Sequence, residues 1–531
     1  MRRLTILLTT IALWSAVATA QQVDARAALL ASIEAMGADQ LETIEYSGGG
    51  FSSRIGQQYS VNAGWPTYQV VDYTRSIDFD AGWSREDYTR QQGDYPLFGR
   101  TPLGPEPITA IVHGEYAWDV RNREPVALTR PYLDGIPFGD LRQLEIAITP
   151  HGFLKAALAA DDATAISLPI IGASDFGVSQ FGRQVTIVSF TFLNKYKING
   201  TITDGNLVEL VGTWIPNPVY GDMDYEMRYT RYEDHDGVMF PMQIHTHQAD
   251  PRLNPAHNYF QYDITSVTIN ATIETVPVPD AIRTAMAPAP VVESTELADG
   301  VWRLAGGSHH SILVEFRDYV AIVEAPQNEA RSLAVIAEAG RLVPDKPIQY
   351  VINTHHHFDH AGGLRTYLSQ GTTIVTHESN KQYYLDILFH PGPRTLQPDR
   401  MSQYNPMYWI SRRPAPIETV DGDVRRTGKY VVTDGEQILE IIRVQDMAYE
   451  LGDRSLAQGI HSEDMLIAYL PREGILINAD LFSPREQAPA TPTTSMRTLN
   501  ENIKKLRLDV ERHVPVHGGI ATHQEFLSIF D

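Results

Sequence analysis

The sequence predicts an α+β chain of more than one domain, with an antiparallel β-rich first half and an α/β second half. Three observations carry this. Turn-linked strand patterns follow one another from residue 37 to about 270, a Pro-rich connection with Pro277, Pro279, Pro288 and Pro290 comes next, and short apolar runs then alternate with helical periodicity. At 531 residues the chain also exceeds one ordinary core.

Residues 1–20 read as a signal peptide. Arg2 and Arg3 precede an apolar core from Leu4 to Val17, and Ala18-Thr19-Ala20 has the small-x-small form of a cleavage site. Cleavage after Ala20 predicts a periplasmic or secreted protein. The apolar run is short for a span and Gln21-Gln22 follow at once, so no stable membrane insertion is expected of the mature chain. The chain has no cysteine, which removes disulfides, thiolate ligands and cysteine nucleophiles. A formal net charge of -22 disfavours nucleic acid and anionic membranes and by itself indicates solubility; the partner expected is a small-molecule substrate. Oligomeric state stays open, with a homodimer among the readings.

Residues 21–287 form the β-rich accessory domain. Asp24 caps a helix running to Met36. Tyr68, Val70, Tyr73 and Ile77 lie in one strand pattern, and Val185, Ile187 and Phe190 in another. Asp204-Gly205 and Asp236-Gly237 mark hairpins, and Tyr225, Met227 and Tyr229 alternate with Asp224, Glu226 and Arg228 as in a half-buried strand. Leu141 to Ala159 is helical, split by Pro150 and Gly152. His245 and His247 share a strand face without a third ligand at matched spacing, and read as a surface feature. The strand succession closing on Val276-Pro277-Val278-Pro279 resembles periplasmic lipoprotein-carrier half-barrels. That resemblance implies a sheet cupping an apolar ligand; the alternative is an accessory domain that dimerises or bears a lid.

Residues 288–531 carry the chemistry. Strands are expected at 301–304, 311–316 and 319–323, a helix from Glu329 to Ala339 ended by Gly340, and a strand from Ile348 to Ile352. Next comes Asn353-Thr354-His355-His356-His357-Phe358-Asp359-His360, with Gly362-Gly363 behind it. Imidazole nitrogen and carboxylate oxygen suit zinc, and so many titratable groups crowd together at low cost only around a cation. A solvated histidine tract would instead lie in low-complexity surroundings.

With those residues in view, the second half resembles the metallo-β-lactamase superfamily. His355, His357, Asp359 and His360 match the family's first motif, His461 its next histidine, Asp480 its acidic strand end, and His517 the histidine of a Val-Pro-x-His-Gly turn. The resemblance implies an αβ/βα four-layer sandwich. It also implies two zinc ions, with iron or manganese as alternatives. His355, His357 and His461 would hold the first, Asp359, His360 and His517 the second, and Asp480 would bridge. The implied reaction is attack by a metal-bridging hydroxide on an ester, lactone, thioester or phosphoester-type bond, with Asp359 orienting the nucleophile.

Relatives of those specificities keep the bridging carboxylate that broad-spectrum β-lactamases usually lack, so β-lactam hydrolysis ranks second. A mononuclear iron persulfide dioxygenase and a periplasmic binding protein with a non-catalytic scaffold are further alternatives. The family's strand ending in aspartate and glycine here ends Val323-Glu324-Ala325-Pro326, so a supporting contact is expected to differ. Residues 378–430, with Tyr383, Tyr384, His390, Tyr404, Tyr408, Trp409, Arg412 and Arg413, read as an insertion: a lid, or an excursion packed on the first domain. His309 and His310 are expected substrate contacts.

Overall fold

Alternation in the sequence becomes alternation in burial. In strand Gly221–His235, Met223, Tyr225, Met227 and Tyr229 are buried while Asp222, Asp224, Glu226 and Arg228 are only partly covered. The computed structural model describes residues 20–95, 103–169, 183–249, 258–388, 394–403, 416–420, 428–446, 460–484 and 491–531. Among them, fourteen antiparallel strands between Gln21 and Ile269 form one sheet. It is built from two meanders, Thr43–Ser53 to Glu124–Ala127 and Thr164–Pro169 to Asn258–Ile269, joined where Asn258–Ile269 pairs with Thr43–Ser53.

Helices Ala25–Met36, Phe138–Ala147 and Pro150–Ala159 cover the buried face of that sheet. Asp24 caps the first by accepting from Ala27 N at 3.1 Å. The expected split falls at Ile148-Thr149, with Thr149 as cap and Pro150 at the first helical position. Gly152 does not break the helix. It lies inside it, where a Cβ would stand 2.0 Å from Ile146 O, so glycine is needed there for close approach. The cup is also filled by the chain itself: the void among Tyr46, Tyr73, His151 and Phe240 is about 10 Å³, too small for an apolar ligand. His245 is buried and opposes Arg228 in register, rather than lying at the surface. The proline-rich connection lies down on the sheet edge, where Val278 and Ile282 pack with Trp83, Ile111 and Trp118.

The second half is a four-layer sandwich. Seven strands from Glu293–Ala298 to Ile417–Val420 form one sheet, antiparallel first and parallel from Val320–Val323 onward; six from Lys429–Thr433 to Ala521–Thr522 form the other. Ile312, Val314, Val323 and Val375 face Leu439, Ile441, Leu466 and Ile477 between the sheets. Helix Glu329–Leu342 packs outside the first sheet through Val335 and Ala339, and Thr494–Leu506 outside the second through Leu499 and Ile503. The expected stop at Gly340 is passed: the helix, anchored by the buried Val335 and Ala339, runs on to Leu342.

The span read as an insertion is partly structural. Ile417–Val420 pairs in parallel with Thr373–His377 as the edge of the first sheet. Arg394 reaches the first domain, its Nη1 donating to Asn217 O at 3.3 Å and Pro218 O at 2.9 Å, and its Nη2 to Val219 O at 2.7 Å. Burial lowers its guanidinium to about 9. Asp222 accepts from the backbone N–H groups of Thr395 and Leu396 at 2.9 and 3.1 Å. His390, Tyr404, Tyr408, Trp409, Arg412 and Arg413 lie outside the described residues, as do residues 1–19 of the expected signal peptide. Among the described residues no helix is long and apolar enough to cross a membrane.

Candidate metal centre

The first motif leaves the strand Ile348–Ile352 at Asn353. There the buried amide Nδ2 donates to His355 O at 2.7 Å and His360 O at 3.4 Å, folding the histidine segment back on itself. Two close approaches hold the turn behind it: a Cβ at Gly362 would meet Gln327 O at 1.9 Å, and one at Gly363 would meet Ser332 Oγ at 2.0 Å. His355, His357 and His360 are thereby fully buried.

Two groups of ligand atoms result. His357 Nδ1 lies 3.0 Å from both His355 Nε2 and His461 Nε2, and Asp480 Oδ2 lies 3.3 Å from the same two Nε2 atoms. His309, His360 and His517 form the second group, with 3.3 Å between His360 Nε2 and His517 Nε2. Asp480 touches this group too, its Oδ2 at 3.0 Å from His360 Nε2 and its Oδ1 at 3.2 Å from His517 Nε2. Its backbone is left-handed, φ 56°, a conformation uncommon for aspartate that turns the carboxylate between the two groups.

The donor chemistry fits metal ions. Tetrahedral arms of about 2.0 Å to imidazole nitrogen set neighbouring nitrogens about 3.3 Å apart, near the separations seen. The tautomers agree. His357 Nε2 donates to Gln58 O (2.9 Å), His517 Nδ1 to Ser308 O (2.8 Å), and His360 Nδ1 lies 2.7 Å from Glu324 Oε2. A carbonyl accepts only, so His357 Nδ1 and His517 Nε2 are left to turn lone pairs inward. Electrostatics point the same way. Burial by itself would raise Asp480, yet His461 and His360 hold it well below the usual carboxylate range. Burial would lower His360, yet Asp480, Glu324 and Asp359 raise it well above an ordinary imidazole. Carboxylates gathered this closely around buried imidazoles leave negative charge for a cation to meet.

Asp359 stands beside the second group. Gln57 Nε2 donates to its Oδ1 at 2.7 Å, while its Oδ2 lies 3.3 Å from His309 Nε2 and 4.0 Å from His360 Nε2. His309 therefore does more than line a pocket, since it is the third imidazole of that group. His310 does not reach the centre. It is folded into its own turn, Nδ1 accepting from Gly306 N at 3.3 Å and its backbone N–H donating to Val516 O at 2.9 Å, and burial lowers its imidazole to about 4. The expected departure at Glu324 is a buried partner: besides His360, its Oε1 accepts from Thr354 N at 2.7 Å.

Two contributions had no motif to announce them. Asp464 fixes the back of the histidine segment, accepting from His356 N at 2.8 Å and from Asn380 Nδ2 at 2.6 Å. From the first domain, loop 54–66 lies across the motif. Besides the bonds of Gln57 and Gln58, Gly56 O accepts from Phe358 N at 3.1 Å, and Tyr59 O from Ser462 Oγ at 3.0 Å. Polar pairing in this loop carries no sequence periodicity that could have flagged it. The two domains enclose a cavity of about 1040 Å³, lined by Arg54, Tyr68, Arg130 and Tyr132 on one side and His309, Asp359, His461, Asp480 and His517 on the other.

Residues 304–517 match the model of the metallo-beta-lactamase superfamily. Similar solved structures include a metallo-beta-lactamase from Pontibacter korlensis, at 15% identity over 45% of this chain and 98% of that one, with a TM-score of 0.32. The metallo-beta-lactamase FIM-1 from Pseudomonas aeruginosa in a mono-zinc form is 18% identical over 46% of this chain and 94% of its own, TM-score 0.29. One from Hirschia baltica is 19% identical over 45% and 95%, TM-score 0.28. Among curated proteins none matches the chain.

Proposed function

Residues 304–517 are a metallo-beta-lactamase superfamily domain, that of a metal-dependent hydrolase, and from that premise we propose that the chain is an exported binuclear zinc hydrolase of small-molecule ester, lactone, thioester or phosphoester-type bonds. The observation that carries the binuclear reading is Asp480, whose two carboxylate oxygens lie within 3.3 Å of nitrogens from both histidine groups. His355, His357 and His461 would hold one ion, and His360 and His517 with Asp359 or His309 the other. When bound, the ions would supply Lewis acidity and a water acidified toward neutrality.

The chain's own residues do the rest. Asp359 offers an oxygen beside the second group that can orient a nucleophilic water, its plane fixed by Gln57. His309 Nε2 stands next to that oxygen and can share its proton. On the side of the first domain the cavity is walled by Arg54, Tyr68, Arg130 and Tyr132. Arg54 lines the same cavity, and among the described residues its guanidinium meets no carboxylate, so it suits an anionic group on the substrate. Export rests on the pattern of residues 1–20.

The test is metal analysis of the full chain alongside a chromogenic panel of esters, lactones, thioesters, phosphodiesters and β-lactams. Two equivalents of zinc are expected, with turnover of a non-lactam member that disappears in Asp359→Ala. Turnover that survives Asp359→Ala combined with His461→Ala would sink the proposal, and efficient turnover of β-lactams alone would replace it by lactamase activity.

A further inference from the structure

The geometry points to the first domain as a working part of the metal centre, with Gln57 as the positioning residue that aims Asp359 at the second ion. This deepens the hydrolase reading above and rests on it.

Loop 54–66 makes its contacts at the motif itself. Gln57 and Gln58 are buried, at 8% and 1% exposure, although amide side chains ordinarily stay wet. Gln57 Nε2 reaches Asp359 Oδ1 at 2.7 Å across 302 positions of chain. A carboxylate can only accept, so the amide must present nitrogen. With Oδ1 engaged, the carboxylate plane is set and Oδ2 is the oxygen left toward His309 and His360. One residue later, the Gln58 carbonyl accepts a hydrogen bond from the Nε2–H of His357 at 2.9 Å. It thereby leaves Nδ1, the atom 3.0 Å from His355 and His461, as the lone-pair donor.

The loop is held to this position by shape. Gly56 has φ 75°, and a Cβ there would lie 2.3 Å from Phe358 Cγ, so the backbone passes directly over the residue between His357 and Asp359. Trp65 packs edge-on against the same Phe358 ring at 6.0 Å between centroids. A loop serving only to join two strands needs none of these contacts. Partners in this outer position are typically worth about 10- to 100-fold in metal affinity.

Gln57→Met keeps length and removes the donor; Gln57→Ala serves as a second variant should the first fold poorly. Each full-length apo variant is titrated with zinc against a chelating indicator, and with cobalt by visible absorption, and its apo melting temperature is recorded. Expected is a 10- to 100-fold weakening of one metal equivalent, the other staying within about threefold, with an altered cobalt spectrum. A merely structural role would lower the melting temperature and weaken both equivalents alike, and that outcome overturns the inference, as do two unchanged affinities. Failure of the hydrolase reading looks different: the unaltered chain then binds zinc and turns over no member of the panel, which leaves the titration to decide the inference, whereas an unaltered chain that binds no zinc overturns both.

Discussion

All the imidazole and carboxylate groups that converge on the candidate centre, among the described residues, come from the second half of the chain. The first half sends an amide and a backbone carbonyl, from Gln57 and Gln58. Side-chain ligands are specified by residue identity, so their spacing survives in the sequence as a pattern. A carbonyl is common to every residue, and only its place in space gives it a role. One half therefore declares its chemistry, and the other supplies orientation that only the fold displays.

The largest effect expected from breaking this division is at Asp480. Asp480→Ala removes the group shared by both histidine sets, and several kcal/mol of charge stabilisation with it, so kcat/KM should fall by about 10³-fold or more on the panel member that is turned over. Metal analysis should show less than two equivalents. A variant that keeps both ions and its rate would place the centre elsewhere.

Next comes the contact that holds the halves together without touching a ligand. Arg394→Ala leaves the carbonyls of Asn217, Pro218 and Val219 without their donor. Destabilisation of about 3 kcal/mol is expected in urea unfolding, at about 1–3 kcal/mol per orphaned group partly relieved by water. Zinc affinity should stay within about threefold. If affinity instead drops as far as in the Gln57 variants, docking as a whole governs the centre and the sharp role of Gln57 dissolves.

Acid sharpens the comparison least, because both halves carry buried imidazoles: burial lowers His151 to about 4 and His513 to about 3. For His151 the unfolded chain, near 6.5, binds the proton that the fold refuses, so stability is full above about pH 6.5 and falls as pH drops toward 4. Between pH 7.5 and 5.5 His151 should account for roughly 1 kcal/mol, and His151→Gln should flatten the acid limb of the melting profile by that amount.

Much of this was legible from residues alone. Strand alternation at Tyr225, Met227 and Tyr229, the cap at Asp24 and the run Ile348 to Ile352 follow from local patterning, and the structure has them there. The ligand histidines were legible as a spacing. Glu324 was visible only as a departure, since nothing local says that its carboxylate meets His360. His309 and His310 are adjacent in sequence and opposite in fate, because one peptide step reverses the direction of a side chain in an extended turn. Gly152 and Gly340 misled as breakers, since packing overrides weak propensity inside an anchored helix. Asp464 and Gln57 act across 108 and 302 positions, and no window of sequence spans such distances.

Those separations also set a schedule. The Gln58 carbonyl waits for His357, 299 positions later, and Tyr59 for Ser462, 403 positions later. At about 5–20 residues per second, a ribosome takes roughly 15–60 s to deliver the nearer partner and longer for the farther one. Throughout that interval the loop's carbonyls at Gln58 and Tyr59 have water in place of their later donors. Whatever guards the chain during synthesis has this loop to cover, and the protein's yield should respond to the rate of elongation between residues 60 and 462.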